Sequence, residues 1–456
     1  MLAENIRRRG AVLLLGLLAA WPAAAATFTV DTTIDETDSA PGDGLCRSLA
    51  QRCSLRAAVQ EANALAGADR VVLPAGAFAL TLAGRGENAA ATGDLDVTDE
   101  LDIAGAGEPS TLIDAAGLDR VFDNLAGAAE APLRISGLTI EAGDAGGGVA
   151  GEGGCLLNGA GRRLELERVT VRECLCGFRG CGLLNEGLAS GEQVSFLDNG
   201  DPEGSIRGAG VANVGPAAQI DLRDCELRGN EAAVGGGLYT SAEFIIPNTS
   251  RARLERCSLV HNWSLQGGAA LAIDSRTELT LLDSTVSTNT GSALFNDGGG
   301  VFLIRNSTIT ANHTDNIGGG IAEVHFNAQF VRLANSILAG NTADFLGPDC
   351  HFRIGSDGAT LLGNTTNCEM SPAPGDQTNV DPLLGPLENP APRVWIHRLL
   401  PGSPAIAAGN PELCTKTDQL GNVRTRCDLG AVEAGTGIFA DGFESGDTGE
   451  WSAVLP

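Results

Sequence analysis

Apolar and polar positions along this chain alternate in short runs that break off after three to five residues and then start again in the same form. "RCSLVHN" (256–262), "RNSTITAN" (305–312) and "NSILAGN" (335–341) each carry a small residue, a polar residue and an aliphatic residue, with Asn three places after the aliphatic. Aligned on the aliphatic residue, the series is Ile140, Val171, Phe196, Leu227, Leu259, Val286, Ile309 and Leu338, in steps of 23 to 32 residues. Three places on, the column reads Gly143, Cys174, Asn199, Asn230, Asn262, Asn289, Asn312 and Asn341. A period of two within each run marks strands, and the longer repeat marks a solenoid.

Glycine-rich strings follow the Asn in most units: "GAGVAN" at 208, "GGGLYT" at 235, "GGAALA" at 267, "GSALFN" at 291 and "GGGIAE" at 318. Each unit therefore predicts a short strand, an Asn turn, a glycine bend, a second strand and a variable loop. The fold class expected is all-β, a single-stranded right-handed parallel β-helix with a small helix-containing cap at its N-terminal end. Strands stacked about 4.8 Å apart bring like side chains together, so the six asparagines are expected to form a structural ladder, with Asn in the left-handed turn position. Cys225 and Cys257 share one column, which predicts that they stack inward on consecutive rungs, bonded or as buried thiols.

Outside the repeats, "SLRAAVQEANALA" (54–66) places Leu55, Ala58, Val59, Ala62 and Leu65 on one helical face behind Ser54 as N-cap. That helix is expected to cover the open first rung. Residues 71–115 read as early rungs lacking the Asn turn, with Val97, Leu101 and Ile103 inward and Asp94, Asp96, Asp99, Glu100 and Asp102 outside or at bends. The organisation expected is a signal peptide over 1–26, from Arg7, Arg8 and Arg9 followed by an apolar run and "PAAAAT", then a cap over 27–70. Rungs follow over 71–380, C-terminal rungs and a cap over 381–435, and a flexible tail over 436–456. An exported protein, secreted or at the cell surface, is the location this implies, with no transmembrane span after the leader.

Composition narrows the partners. With a net charge of -27 and one lysine, Lys416, the chain lacks the clustered cations that nucleic acid requires. Acidic sugars meet the same repulsion unless a cation bridges them, which admits calcium without demanding a cofactor. Asp94, Asp96 and Asp99 are the candidate metal ligands, but their spacing matches no calcium loop, and a solvated strand face is the plainer expectation. Twelve cysteines in an exported chain read as disulfides. Cys46/Cys53, Cys350/Cys368 and Cys414/Cys427 are local pairs. Cys155, Cys174, Cys176, Cys181, Cys225 and Cys257 remain open in connectivity, with zinc at "CLCGFRGC" as the alternative.

Residues 28–65, with Cys53-Ser54-Leu55-Arg56-Ala57-Ala58 at their heart, resemble the N-terminal module of CSLREA domain proteins, with Ala57 where that string has Glu. "DPLLGPL" at 381, "LLPGSPAIAAGN" at 399, "TDQLGNVR" at 417 and "CDLGAVE" at 427 resemble the end of secreted bacterial β-helix proteins of the pectate-lyase-like group. The last residues, "IFADGFESGDTGEWSAVLP", resemble C-terminal tails of exported Gram-negative proteins. These resemblances imply a fold and an exported, Gram-negative surface location, and little chemistry.

Function has to come from a site. The Asn-Thr-Asp, Asp-Asp and Gly-His-Gly strings of polygalacturonase-like enzymes are absent, and no arginine motif of a lyase stands out. His313, Glu323 and His325 share a rung and are the acid/base candidates, set against a polar outer face with no third partner; His261 and Trp263 flank Asn262 in the same way. Exposed aromatics for sugar stacking are few. The expectation is a non-catalytic adhesive rod that binds a surface polysaccharide or a protein. A polysaccharide lyase or glycoside hydrolase is the alternative.

Overall fold

A computed structural model describes residues 25–434, apart from 126–130, 147–150, 202–205, 244–248, 275 and 324–329. The leader, His325 and the 436–456 tail therefore lie outside the described residues, save for the end of the leader. The chain coils into a right-handed parallel β-helix whose strands stack in three long ladders, each rung pairing in parallel with the next. One ladder begins at Thr27–Thr29 and runs through Asp69–Val72 and Leu101–Ala104. A second carries the aliphatic column, in which Ile140, Val171, Phe196, Leu227, Leu259, Val286, Ile309 and Leu338 are register partners in succession. The third starts at Leu95–Val97 and Phe122–Asn124 and carries the strands of the glycine strings.

All eight aliphatic residues of that column are buried, and they belong to one continuous core that fills the coil. The Asn turn is built differently from the expectation. Positive φ falls on the residue before each Asn, at Asp198, Gly229, His261, Thr288, Ala311 and Gly340. Asn itself is spared that conformation because its amide must reach along the coil axis. Glycine is needed at the next bend for space: a Cβ on Gly210 would meet the Gly237 carbonyl oxygen at 2.6 Å, and one on Gly237 the Ala270 oxygen at 2.5 Å. The bend between the first two ladders uses ordinary residues instead, among them Arg168, Gln193, Asp224 and Arg256 at positive φ.

Every cysteine is in a disulfide: Cys46–Cys53, Cys155–Cys174, Cys176–Cys181, Cys225–Cys257, Cys350–Cys368 and Cys414–Cys427. Cys225 and Cys257 do stack on consecutive rungs, and zinc at 174–181 is excluded because all three thiols there are bonded to carbon-borne sulfur partners. Among the described residues no helix is long and apolar enough to cross a membrane.

The helix α1 (Leu55–Ala64) is capped by the Ser54 hydroxyl, which accepts from Ala57 N at 3.0 Å. It packs on Asp69–Val72 and Leu95–Val97. Its polar side is buried too, because residues 31–52 are tied to it: Gln60 accepts from Asp38 N at 2.7 Å, and Glu61 accepts from the Gly42 and Gly44 amides. At the other end the chain leaves the ladders at Leu384. A hairpin, Leu384–Ala391 with Val394–Leu399, runs back along the second ladder, where Trp395 N donates to Ser258 Oγ at 2.8 Å and His397 Nε2 meets Ser287 Oγ at 2.8 Å.

Candidate functional site

The six ladder asparagines are buried and joined head to tail. Each Nδ2 donates to the Oδ1 of the next rung, from Asn199 to Asn230 and on to Asn341, at 2.8 to 3.0 Å. Each Asn backbone N–H donates to that same oxygen. The run ends on Asp349, whose Oδ1 accepts from Asn341 N and Nδ2, both at 2.9 Å. A carboxylate suits the last position because nothing beyond it needs a donor. This column is fully spent on holding turns.

A second ladder, which sequence reasoning missed, runs along the third strand ladder. Asn124 donates to Asn158, Asn158 to Asn185 and Asn185 to Asn213, each at 2.7 Å, and Asn213 passes on to Thr240 and Ser250 at 3.0 and 2.9 Å. Asn296 donates to Glu323 Oε2 at 2.8 Å in the same column. Its signal was the last residue of "GAGVAN" and "GSALFN", interrupted by Thr240 and Ile273. Glu323 is fully buried there. His313 sits elsewhere, on a short strand paired with Thr342–Ala343, with its side chain partly exposed and its ring bonded to Thr342 Oγ1 at 2.9 Å and Asp315 Oδ1 at 3.1 Å. The two described members of the acid/base trio are thus on opposite sides of the strand wall. His261 faces the edge of Trp395 with ring centres 5.8 Å apart, and Trp395 donates its indole N–H to Glu226 at 2.8 Å.

Two regions carry chemistry on outer faces. On the first ladder, one register column reads Arg70, Asp102, Arg134, Glu165, Ser190, Asp221 and Arg253. Opposite charges within it pair at 2.9 Å (Arg70–Asp102), 2.9 Å (Arg134–Glu165) and 3.6 Å (Arg253–Asp221). Across its middle lies an open groove of about 450 Å³ lined by Leu188, Ser190, Gln219, Arg251, Arg253 and Glu278. Arg251 is exposed and has no ion-pair partner among the described residues.

On the third ladder, Asp96 and Asp123 are register partners on its outer face, and Asp94 and Asp119 lie beside them. The solvated face expected here is overturned: Asp94 is 3% and Asp96 0% exposed, because the 82–93 loop and α1 roof them. Asp99 stands apart, accepting from Glu100 N at 2.8 Å. Arg120 answers the cluster, with Nε 3.2 Å from Asp94 and Nη2 donating to Asp123 at 3.3 Å. Farther along, Arg207 donates to the Tyr239 hydroxyl at 3.1 Å and Tyr239 donates to Asp274 at 3.3 Å. Burial pushes the Tyr239 phenol up despite Arg207. Neither Arg120 nor Tyr239 was singled out from the sequence, since only the coil places them near these carboxylates.

Burial, reinforced by Asp119, pushes Asp94 up to about 7, and burial pushes Asp96 up to about 6. An unfolded Asp ionises near 3.9. Between those values the folded chain holds the extra proton, so in chelator its stability should fall as pH rises from about 4 to about 7 and level off above. The loss should reach a few kcal/mol, at about 1.4 kcal/mol per unit of displacement. Thermal midpoints of the protein and of Asp94→Asn across that range provide the check; parallel profiles for the two would refute it.

No family model matches this chain, and no curated protein matches it. Among solved structures it is similar to the pectate lyase Pel9A, with 13% identity and a TM-score of 0.50 over 91% of this chain and 98% of that one. It also matches the A-modules of the Azotobacter vinelandii mannuronan C-5 epimerases AlgE4 and AlgE6, at 14% and 13% identity and TM-scores of 0.34 and 0.32, covering 75% and 71% of this chain and 96% and 93% of those chains. At such identity the likeness to Pel9A bears on the fold alone.

Proposed function

We propose that this protein is an exported, non-catalytic β-helix that holds an extended polysaccharide along the outer face of its first strand ladder. The groove at Leu188, Ser190, Gln219 and Arg251 carries the reading: it lies open across several strands, combines an apolar floor with polar rims, and holds an arginine whose five donors are not engaged by a carboxylate. The Glu165, Asp221 and Glu255 carboxylates on that face are paired with arginines, while Glu278 at the groove is the register partner of Arg251. A solved neighbour of this fold is named for pectate, which fits a carbohydrate partner.

The test presents the full mature chain to acidic and neutral polysaccharides, with and without calcium, and follows retention, new reducing ends and unsaturated products. Retention without product release is expected, with Arg251→Ala weakening it about tenfold or more, the worth of one charge-assisted contact. Product release would overturn the non-catalytic reading. A second reading, a polysaccharide lyase or hydrolase, draws on the phenol held between Arg207 and Asp274, a geometry suited to proton transfer. Under that reading release occurs and is abolished by Tyr239→Phe.

A further inference from the structure

We propose that Asp94, Asp96 and Asp123 bind one calcium ion beneath the 82–93 loop, clasping the N-terminal segment to the first rungs. Each of the three offers a carboxylate oxygen, and those oxygens lie within 4.8 Å of one another. Two of these residues also carry an oxygen without a hydrogen-bond partner although fully enclosed: Asp96 Oδ1, on a residue 0% exposed, and Asp123 Oδ1, on one 5% exposed. A buried carboxylate oxygen left unpaired is costly, and the usual remedies are a donor or a cation. The donors that reach these carboxylates go to their other oxygens: Ala90 N to Asp96 Oδ2 and Arg120 Nη2 to Asp123 Oδ2, while Arg120 Nε faces Asp94 Oδ2 at 3.2 Å.

Charge points the same way. Four carboxylates, Asp94, Asp96, Asp119 and Asp123, are at most 5% exposed, and only Arg120 sits among them. Arg85 reaches Asp119 from the rim at 3.9 Å, with 43% of its side chain exposed. With all four ionised, the two cations leave a deficit that one divalent ion makes up, displacing the protons that burial otherwise holds there. The donors are all oxygen, which selects a hard cation, and their irregular placement suits calcium's flexible coordination better than magnesium's strict octahedron. Asp119 and solvent supply the remaining ligands.

The site's position gives it a task. Asp96 and Asp123 belong to consecutive rungs, and Asp94 immediately precedes the strand that receives α1 through Asn63 Nδ2, which donates to Asp96 O at 2.7 Å. Arg56 of α1 grips the carbonyls of Ala90, Gly93 and Asp94. An ion here thus fastens rung to rung and loop to helix at the end where the coil is otherwise open. With enclosure this complete its role is structural, independent of any substrate in the groove.

The full mature chain, stripped with chelator and shown by circular dichroism to stay folded, would be titrated with calcium by calorimetry and digested with and without it. One calcium per chain is expected, together with a raised thermal midpoint and protection of the 82–93 loop from protease. Asp123→Asn, which preserves shape, should weaken calcium binding at least tenfold, while Asp99→Asn should leave it unchanged. Calcium that fails to bind the stripped wild-type chain, or binds Asp123→Asn undiminished, overturns the proposal. Should Asp123→Asn not fold, the wild-type titration and the protease protection decide alone.

Discussion

Asn262→Ala should lower stability by about 3–5 kcal/mol, one of the largest effects available to a single substitution that removes so little volume. The Asn262 side chain makes four bonds: Oδ1 accepts from Asn230 N at 3.1 Å and Asn230 Nδ2 at 3.0 Å, and Nδ2 donates to Leu227 O at 2.8 Å and Asn289 Oδ1 at 3.0 Å. Truncation takes partners from two donors and from the Leu227 carbonyl where water does not reach, at roughly 1–3 kcal/mol each, less whatever a trapped water recovers, while Asn289 Oδ1 keeps the residue 262 backbone N–H. Asn262→Asp sharpens the test. Its carboxylate keeps the two bonds from Asn230 but turns an acceptor toward two other acceptors, so it should be at least as damaging at neutral pH and partly recover in acid, where a protonated carboxyl donates again. Asp349→Asn, at the end of the same ladder, should cost less than about 1 kcal/mol, since Asp349 accepts from Asn341 and passes nothing on. Urea midpoints of the three variants would read this directly. Equal losses at 262 and 349 would mean that the asparagines fill space and form no directional chain.

This ladder was legible in the sequence because its repeat is local: an aliphatic residue and an Asn three places on, copied rung after rung. Its conformational detail was not. The left-handed residue is glycine before Asn230 and Asn341 but Asp198, His261, Thr288 and Ala311 before the other four, types with no common preference, held there by the turn and not by their own propensity. Where partners lie a full coil apart, the chain gave less away. Asp94 and Asp96 suggested Asp99 as a third ligand because it is near in sequence, whereas the coil brings Asp123 alongside from the next rung and sends Asp99 to a turn. Likewise the alternation that drew attention to Glu323 could not say which way its strand faces, because that depends on the ladder it joins, and Glu323 joins the buried one. The returning hairpin was beyond reach, since Trp395 answers to Glu226, 169 residues earlier.

Arg56→Ala should be as costly as Asn262→Ala, about 3–5 kcal/mol, yet fail differently. The guanidinium is wholly enclosed: Nε and Nη2 meet the Asp35 carboxylate at 2.7 and 3.2 Å, and the remaining donors hold Ala90 O, Gly93 O and Asp94 O at 2.8 to 3.2 Å. Its removal leaves a buried anion supported only by Thr81 N and Leu82 N, and takes the side-chain donor from Gly93 O and Asp94 O, while Ala90 O keeps Gln60 Nε2. Arg56→Lys should restore little, because one ammonium cannot span a fork that serves four groups. In a solenoid each rung leans on its neighbours, so damage at one end need not melt the whole. Loss of Arg56 should therefore release α1 and the 82–93 loop first, uncovering the edge at Thr27–Thr29 and Asp69–Val72 while the Asn-laddered rungs persist. Two separate transitions in a thermal scan, with early hydrogen exchange confined to residues up to about the third rung, is the expected signature. A single transition displaced by less than about 1 kcal/mol would show that the N-terminal segment is an appendage, and that the coil closes its own first rung without it.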